Sequence, residues 1–405
     1  MSDLSTLIRD PFASWPNGIN TMPNILDQLE TYSKYWSNTL IPLMKSGHLK
    51  HMVDGTYTYP SRIGLFPGLS CMFYCGFCGR NPSAEYSRKS VDHGIDVYKS
   101  VIKDAPKEGK WQDRFRISGG LEPLTNPRIG ELVEYGAAYE YKMGIYTNGY
   151  MLTPRYLEKQ QGLQALDYLR ISMYGFDDET YERTTLKKGW STVRDNLINF
   201  VNTTDIKIGL NWVILPGRTD DYTRFMHMVK ELQDKLRRPI DFITVREDFS
   251  QNLVVISDKE RDQLTNTFSS IEIMKNTYFP ETKLDYGYQL HPMAERYTNG
   301  PLHMAKSNQL DPKGLPQATV QIDTMGNIFA YHGSAFLDRP GYQKFIIGNA
   351  AQGLEEEIKR HLESDASISY IPTDTGMLDS YDHAISLAVW RARKEPNHPI
   401  WSTLA

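Results

Sequence analysis

Residues 71–78 read CMFYCGFC, and they contain all three cysteines of this 405-residue chain. The stretch comes shortly after RIGLF at 62–66, whose apolar residues predict a buried β-strand. The spacing C-x3-C-x2-C places Cys71, Cys75 and Cys78 on one short loop. Thiolates this close together can share a metal centre, and an iron–sulfur cubane normally takes four of them. Because the chain has no fourth cysteine, a cubane held here would keep one iron open to another ligand.

Two other interpretations of the loop are open at this point. A zinc site would need a fourth ligand, and His93 is the nearest histidine downstream. Zinc loops usually carry two cysteine pairs, which this sequence lacks. A reactive redox thiol would leave the third cysteine without a role. The cubane is the favoured interpretation, because an open coordination position is what a catalytic metal needs.

The composition is that of an ordinary globular protein. Hydrophobic residues make up 40%, charged residues make up 23%, and the net charge is −4. The acidic balance argues against a nucleic-acid partner, which would require a basic face. No secretory signal and no membrane span are expected, because the N-terminus lacks a basic start and no apolar run is long enough. Three cysteines cannot all pair, which indicates a reducing, cytoplasmic location.

Short apolar strands alternate with helical patterns between about residues 60 and 250. Such alternation builds parallel strands with right-handed crossovers. We therefore predict an α/β fold, a partial (β/α)6 TIM-like barrel with N-terminal helices and an α+β C-terminal extension. The predicted strands are 62–66, 115–118, 143–147, 168–175, 206–215 and 240–247.

The predicted domains are an N-terminal helical segment (1–55), the barrel (56–289) and a C-terminal extension (290–405). Within the extension, PQATVQIDTMGNIFAY at 316–331 reads as a hairpin, because two alternating strands flank a short polar turn. Two helical patterns follow the hairpin. We expect this extension to pack over the mouth of the barrel.

Glycine and polar residues follow the predicted strands, and chemistry in parallel barrels lies at the C-terminal strand ends. SGGLEP at 118–123 ends the second strand, and its two glycines would let the backbone approach a ligand closely. Thr147-Asn148 ends the third strand. Arg170 and Ser172 alternate on the fourth strand, so both side chains face the same side of the sheet. Leu215-Pro216-Gly217 ends the fifth strand.

The sixth strand ends in Arg246-Glu247-Asp248, and Asp285-Tyr286-Gly287-Tyr288 lies further along the chain. Acidic and tyrosine side chains at a barrel mouth suit a hydroxylated, amine-bearing substrate, and an arginine suits a phosphate. A solvated loop would explain each of these residues singly. Six segments that place such residues at the same rim are harder to explain by packing alone.

The C-x3-C-x-aromatic-C loop after a strand resembles the radical S-adenosylmethionine (SAM) superfamily. The resemblance implies a [4Fe–4S] cluster on Cys71, Cys75 and Cys78, shielded by Phe77, with SAM bound at the open iron. It also implies that SAM is cleaved to a 5′-deoxyadenosyl radical, which takes a hydrogen atom from the substrate. The implied cofactor-binding residues are Gly119, Gly120, Glu122, Asn148, Arg170, Ser172 and Leu215.

Within that superfamily, most of residues 33–350 resemble the nucleotide-sugar ammonia-lyases of deoxysugar biosynthesis. SGGLEPLTNP at 118–127 carries a leucine inserted into the usual Gly-Gly-Glu-Pro motif. The resemblance implies hydrogen abstraction at C3 of a 4-amino-4,6-dideoxysugar, loss of ammonia from C4, and one-electron reduction to a 3-keto sugar. The implied partners are the nucleotide-sugar substrate and an electron donor such as flavodoxin or ferredoxin. The candidate proton acceptors are Glu247, Asp285, Tyr286 and Tyr288.

Other reactions can start from the same C3 radical. Loss of water or of an electron would make the protein a dehydratase or a dehydrogenase for a related nucleotide sugar. QIDTMGNIFAYHGSAF at 321–336 also resembles part of the C-terminal extension of peptide-modifying radical SAM enzymes, but those extensions normally carry further cysteines. A zinc-holding binding module is the non-enzymatic alternative, and it does not explain polar residues at six strand ends.

Overall fold

The computed structural model of the chain describes residues 7–9, 39–78, 85–109, 111–215, 217–247, 258–287, 304–306, 310–335, 341–364, 380–398 and 400–401. The strands are β1 (Leu7–Arg9), β2 (Arg62–Phe66), β3 (Phe115–Ile117), β4 (Gly144–Thr147), β5 (Tyr168–Met173), β6 (Lys207–Ile214), β7 (Phe242–Glu247), β8 (Lys283–Tyr286), β9 (Met304–Lys306), β10 (Thr319–Asp323), β11 (Asn327–Phe329) and β12 (Ile346–Asn349). The helices are α1 (Ile41–Lys45), α2 (His48–Asp54), α3 (Ser90–Asp104), α4 (Ile129–Ala138), α5 (Pro154–Lys159), α6 (Asp178–Thr185), α7 (Trp190–Thr203), α8 (Asp221–Gln233), α9 (Asp258–Tyr278), α10 (Leu354–Glu363) and α11 (Ser380–Lys394).

The main sheet contains a run of parallel strands in the order β10-β2-β3-β4-β5-β6-β7-β8. The six predicted strands are β2 to β7, so the prediction of a partial (β/α)6 TIM-like barrel is confirmed. β8 was not predicted, and it adds a parallel strand beside β7. β11 and β12 continue the sheet in antiparallel pairing at the other edge.

The two faces of the sheet differ in burial, and β5 shows why. Leu169, Ile171 and Met173 alternate along this strand and are fully buried on the outer face, where the helices pack. Tyr168, Arg170 and Ser172 lie on the opposite face and stay partly exposed. We call this inner face the lumen. Because its side chains are polar and partly exposed, the lumen is accessible to a ligand.

The hairpin of the C-terminal extension is confirmed as β10 and β11. Its place in the sheet was not predicted: β10 pairs in parallel with β2, with Val320 opposite Ile63. The carboxylate of Asp323 closes the hairpin turn by accepting hydrogen bonds from the backbone N–H groups of Met325 and Asn327, both at 2.9 Å. The described part of the extension therefore widens the sheet beside the cysteine strand, and its packing over the mouth stays a prediction.

A second hydrophobic core joins the two ends of the chain. It contains Ile41 and Leu49 of α1 and α2 together with Ile385 and Ala388 of α11. The guanidinium of Arg393 donates hydrogen bonds to backbone carbonyls at the end of α2, which fixes the two segments to each other. Residues 10–38 of the predicted N-terminal helical segment lie outside the described residues. No helix in the described ranges is both long and apolar enough to cross a membrane.

Candidate active site

The three cysteines follow β2 in a loop at the C-terminal edge of the sheet. Their side chains are half-buried and form no disulfide. Backbone hydrogen bonds tie this loop to its neighbours on both sides. Glu122 N–H donates to the Ser70 carbonyl at 2.9 Å, and Tyr74 N–H donates to the Thr185 carbonyl at 2.9 Å. The thiols are thus presented by a loop that is anchored to the segment after β3 and to the end of α6.

The zinc interpretation of the loop does not agree with the structure. The ring Nε2 of His93 lies 3.2 Å from the backbone oxygen of Met325, beside the hairpin turn. Within the described ranges, no group of three or more His, Cys, Asp or Glu side chains is arranged to hold one metal ion. Three thiols that do not converge on a single ion are compatible with a cubane, because each thiolate of a cubane binds a different iron.

An aromatic wall stands beside the thiols. The ring of Phe73 packs edge-on against Tyr150, Tyr174 and Tyr181, with centroid distances of 5.5, 5.8 and 5.6 Å. Phe77 lies 5.9 Å from the ring of Tyr174. Burial, and then the charge of the nearby Cys75, raises the pKa of both the Tyr174 and Tyr181 phenols. Tyr174 and Tyr181 therefore stay neutral, and their rings cover one side of the cysteine loop.

The glycines of the SGGLEP segment are required by close packing. Gly119 has a φ of +139°, and a Cβ atom there would lie 2.9 Å from Cγ of Phe66. On the cysteine side, a Cβ atom at Gly68 would lie 2.7 Å from the carbonyl carbon of Leu121. The cysteine loop and the SGGLEP loop therefore pass each other at backbone contact distance. Gly120 lies in the same loop and is partly exposed to solvent.

The carboxylate of Glu122 is directed into the protein interior, towards the end of β4. One oxygen accepts hydrogen bonds from the Thr147 hydroxyl at 2.5 Å and from Leu124 N–H at 3.1 Å, and the other accepts from Asn148 N–H at 2.8 Å. The side chain is 4% exposed. Burial raises the pKa of Glu122 to about 7, although the three hydrogen bonds act in the opposite direction. Glu122 therefore joins the strand ends of β3 and β4.

Asn148 connects the end of β4 to the cysteine loop. Its side-chain Nδ2 lies 3.7 Å from Sγ of Cys71 and 3.0 Å from Sδ of Met72. Its Oδ1 accepts a hydrogen bond from Tyr150 N–H at 3.0 Å, which fixes the orientation of the amide. An N–H group held against a cysteine sulfur is a contact that tunes iron–sulfur centres. The structure thus places Asn148 beside a predicted cluster ligand.

Arg170 and Ser172 both face the lumen, as their alternation predicted. The guanidinium of Arg170 donates to Oγ1 of Thr244 at 2.9 Å, and it lies 4.4 Å from the ring centroid of Tyr146. Ser172 is one step nearer the strand end, in register with Asn211 of β6. Arg170 is therefore neither a surface charge nor part of the mouth, because its head group lies inside the barrel.

Leu215 lines an open cleft next to the cysteine loop. The cleft is walled by Phe77, Tyr174 and Trp212. Its polar side is Arg218, which donates to Thr184 at 3.1 Å. Flat rings above an apolar side chain can bind a planar heterocycle by stacking. Leu215 is one of the residues that the resemblance to radical SAM proteins implies for cofactor binding.

The predicted proton acceptors fall into three groups. Asp285 of β8 is partly exposed and lies in register with Thr244, a neighbour of Arg170. Tyr286 points the other way: it is 8% exposed, packs 4.8 Å from the ring of Phe268, and burial raises its pKa well above the usual range. This placement argues against proton transfer by Tyr286. Glu247 ends β7, but its side chain lies outside the described residues, as does all of Tyr288.

Two lumen residues were missed by sequence reasoning. Tyr146 of β4 lies in register with Arg170, and Asn211 of β6 lies in register with Ser172. The available signal was the period of two along each strand, applied to every strand of the barrel and not only to the one that contains Arg170. Both residues carry groups able to exchange protons or hydrogen bonds with a bound molecule.

Comparison with known proteins agrees with this geometry. The family model described as the radical SAM superfamily matches residues 65–229, from the end of β2 to α8. The chain is 32% identical to dTDP-4-amino-4,6-dideoxy-D-glucose ammonia-lyase of Streptomyces venezuelae, over 93% of this chain and 80% of that protein. A shorter match, 26% identical over 37% of this chain and 40% of the other, is to the AdoMet-dependent heme synthase of Methanosarcina barkeri.

Among solved structures, the fold is similar to that of SuiB from Streptococcus suis. The crystal structure of SuiB bound to the precursor peptide SuiA has a TM-score of 0.53 and 15% sequence identity, covering 87% of this chain and 73% of that chain. The structure of SuiB bound to S-adenosylmethionine has a TM-score of 0.50 at the same identity and covers 87% and 72%. At this identity the likeness concerns the fold alone.

Proposed function

Because this chain belongs to the radical SAM superfamily, and within it to the family of the ammonia-lyase that it matches over 93% of its length, we propose that it removes ammonia from C4 of a nucleotide-linked 4-amino-4,6-dideoxysugar. The reaction proceeds through a radical at C3, and the enzyme is a carbon–nitrogen lyase of deoxysugar biosynthesis. The observation that carries the proposal is the mouth of the barrel. There the cysteine loop, the SGGLEP loop and Asn148 are tied together around half-buried thiols.

The residues at the mouth suit a [4Fe–4S] cluster and SAM. Cys71, Cys75 and Cys78 would hold the cluster and leave one iron for SAM. When bound and reduced, this pair supplies the 5′-deoxyadenosyl radical that takes the hydrogen atom from C3 of the substrate. The cleft lined by Leu215 and Phe77 would take the adenine ring.

The side chains of this protein would hold the site rigid and exclude water from it. Glu122 accepts three hydrogen bonds from two loops, which makes the mouth rigid before any ligand binds. The ring of Phe73 and its tyrosine neighbours shield one side of the cysteine loop. A reactive radical needs such shielding, because water and loose side chains are sources of side reactions.

The substrate and the remaining partners follow from the same reaction. The lumen carries arginines that suit the phosphates of a nucleotide sugar, and Asp285 suits its hydroxyl or amine groups. An external one-electron donor such as flavodoxin or ferredoxin would reduce the cluster. A reducing cytoplasm is the proposed location, because the three cysteines form no disulfide.

Two other reactions start from the same C3 radical. A dehydratase would expel water from C4, and a dehydrogenase would lose an electron. The match to an ammonia-lyase over 80% of that protein's length favours ammonia as the leaving group. A peptide-modifying reaction is disfavoured by the sequence, because no cysteine follows Cys78 to hold a further cluster.

The test is an anaerobic assay of the reconstituted enzyme. The protein is loaded with iron and sulfide, then mixed with SAM, a reductant and dTDP-4-amino-4,6-dideoxyglucose. Formation of 5′-deoxyadenosine and of free ammonia is measured together. We expect both products, with about four irons per chain. A parallel reaction with the matching 4-hydroxy sugar should give no water-loss product.

The matched pair of variants comes from the cysteine loop itself. Cys75→Ala should lose both products, whereas Tyr74→Phe, which alters an exposed ring in the same loop, should keep both. Deoxyadenosine without ammonia would overturn the lyase proposal and leave a dehydrogenase. A water-loss product from the 4-hydroxy sugar in place of ammonia would make the enzyme a dehydratase.

A further inference from the structure

The lumen contains a cluster of charged and aromatic groups on the inner face of the sheet. We define the lumen cluster as Arg116 of β3, Tyr146 of β4, Tyr168 and Arg170 of β5, and Arg246 of β7. These residues occupy alternate positions on neighbouring parallel strands, so their side chains extend from the inner face of the sheet. All five are partly exposed, whereas the outer positions of the same strands are buried.

Glycines on the same face make room for this cluster. A Cβ atom at Gly144 would lie 2.0 Å from the ring of Tyr168, and a Cβ atom at Gly209 would lie 2.0 Å from the ring of Phe242. The two rings therefore lie flat against neighbouring strands and fill the lower part of the lumen. The guanidinium of Arg170 lies above them, 5.6 Å from the ring centroid of Phe242.

Tyr146 is the titratable group at the centre of the cluster. Its ring centroid is 4.4 Å from the guanidinium of Arg170 and 6.3 Å from the ring centroid of Tyr168. The guanidinium groups of Arg170, Arg116 and Arg246 outweigh the effect of burial and lower the pKa of Tyr146 to about 7. Three cations around one phenol favour its ionised form.

Among the described residues, β8 brings the acidic group Asp285 to this face. β6 contributes Gly209 and Asn211, which do not titrate. β8 contributes Asp285, which lies one step nearer the mouth, in register with Thr244. The facing groups thus include three guanidinium groups and one carboxylate, so the positive charge around the phenol is in excess.

We propose that Tyr146 is the catalytic residue that accepts the proton of the substrate's C3 hydroxyl while ammonia leaves C4. The inference rests on the proposed function and names its acid–base group. The O–H bond at C3 breaks and its proton forms an O–H bond on the Tyr146 phenolate. The C4–N bond of the ammonium group breaks, its electron pair leaves with nitrogen as ammonia, and the unpaired electron ends on C4 beside a C3 carbonyl.

The position of Tyr146 suits this step. It lies two residues before Asn148, whose amide is 3.7 Å from Sγ of Cys71, so the phenol lies below the cysteine loop on the strand that reaches it. Among the predicted acceptors, Tyr286 faces away from the lumen. A phenolate among guanidinium groups can accept a proton near neutral pH, and a general base works best when its pKa is near the working pH.

The first experiment compares Tyr146→Phe with Tyr139→Phe, which changes a partly exposed ring just after α4. The substrate carries deuterium at C3, so transfer of deuterium into 5′-deoxyadenosine reports hydrogen abstraction separately from ammonia release. We expect Tyr146→Phe to keep deuterium transfer and to lower ammonia release by about 10²-fold or more, the usual size of an acid–base contribution. Tyr139→Phe should match the wild type. Equal ammonia release in all three proteins would overturn the proposal, and so would loss of deuterium transfer together with ammonia in Tyr146→Phe.

The second experiment needs no substrate turnover. Ultraviolet difference titration of oxidised, cluster-loaded wild type against Tyr146→Phe isolates the one tyrosinate absent from the variant. We expect the titration midpoint of the wild type to be near neutral pH and to be higher in Arg170→Gln. The rate of ammonia release by the wild type should fall at low pH with the same midpoint. This fall should be missing in Tyr146→Phe. A midpoint near that of ordinary tyrosine would overturn the inference even if ammonia is released. If the wild type releases no ammonia but the titration midpoint is near neutral pH, the proposed function is wrong, whereas the ionisation of Tyr146 is confirmed.

Discussion

The mouth and the lumen of the barrel lie a few residues apart on the same strands, yet their buried polar groups differ in how many hydrogen bonds the chain supplies. At the mouth, each oxygen of the buried Glu122 carboxylate accepts a hydrogen bond from the chain, and both ends of the Asn148 amide are occupied. In the lumen, Oδ1 of Asn211 and Nε of Arg170 are buried and have no hydrogen-bond partner among the described residues. Within the described residues, the chain thus satisfies the Glu122 and Asn148 side chains at the mouth, whereas these two lumen atoms lack a partner.

This difference has an energetic meaning. A buried polar group without a partner costs about 1–3 kcal/mol, and a ligand that supplies the partner recovers that free energy on binding. A preorganised site gains in a different way, because its groups lose little freedom when the ligand arrives. Substitutions at the mouth should therefore affect stability and cofactor, and substitutions in the lumen should affect the substrate.

The largest effect is expected from Cys71→Ala at the mouth. Loss of one of three thiolates should remove the cluster, so iron content falls to background and deoxyadenosine formation is lost by more than about 10³-fold. Iron analysis and the anaerobic assay measure both. Asn211→Leu in the lumen is the control and should retain full iron content. An iron-loaded, active Cys71→Ala would show that the loop does not hold the cluster.

Next in size is Glu122→Ala, which should lower the free energy of unfolding by about 2–4 kcal/mol. Three donors from Leu124, Thr147 and Asn148 would lose their acceptor in a buried place. Denaturant unfolding of the cluster-free protein measures the change. Glu131→Ala is a suitable comparison, since it removes a half-exposed carboxylate that pairs with Arg128. A loss for Glu122→Ala no larger than the ~1 kcal/mol of an exposed pair would contradict the view that the chain completes the mouth.

The pH dependence of stability should also report Glu122. Its pKa is raised from 4.5 to about 7 in the folded protein, so the folded state holds this proton more tightly than the unfolded state does. Stability from this group is full below about pH 4.5, declines as the pH rises towards 7, and then stays level, with a total change of at most about 3 kcal/mol. Subtracting the profile of Glu122→Gln from that of the wild type isolates the change. Parallel profiles would show that Glu122 does not titrate in this window.

Asn211→Leu in the lumen should have a smaller effect on stability than Glu122→Ala, and the effect should have the opposite sign. Removing the unpartnered Oδ1 should leave the free energy of unfolding unchanged or raise it by up to about 1 kcal/mol. KM for the nucleotide sugar should rise about 10-fold, as expected for one lost hydrogen bond, while KM for SAM is unaffected. A destabilised variant with an unchanged substrate KM would remove the distinction between the two regions.

The smallest expected effect comes from Asn148→Ala. Its amide Nδ2 contacts Sγ of Cys71, and hydrogen bonds to cluster sulfurs favour the reduced, more negative state. Loss of a contact of about 1 kcal/mol should lower the reduction potential by roughly 40 mV for one electron. Spectroelectrochemical titration measures this shift, with Asn202→Ala at the surface as the control. A rise in potential would contradict the assignment of this contact.

The sequence predicted what local patterns encode. The strands β2 to β7 were found because their apolar runs end at glycine or polar residues, and the hairpin was found from two alternating runs around a turn. The cysteine loop needed only its spacing. In contrast, the pairing of β10 with β2 was not predicted, because parallel neighbours distant in sequence leave no local signal.

Orientation was the second limit of sequence reasoning. Asp285 and Tyr286 are adjacent on β8, so alternation requires one to face the lumen and the other to face the helices, but it does not say which. Similarly, the sequence gives no sign that the carboxylate of Glu122 is directed at Thr147 and Asn148. Both answers depend on contacts between strands that are distant along the chain.

The pairing of β2 with β10 has a consequence for biosynthesis. During translation, the strand that leads into the cysteines can pair with β3 early, but its other edge stays open until a strand roughly 250 residues later has left the ribosome. An open strand edge can pair with the wrong strand, and the three cysteine thiols beside it can be oxidised. We therefore expect the iron–sulfur cluster to be inserted most efficiently after β10 has been synthesised and has paired with β2. Formation of the hairpin would then precede maturation of the enzyme.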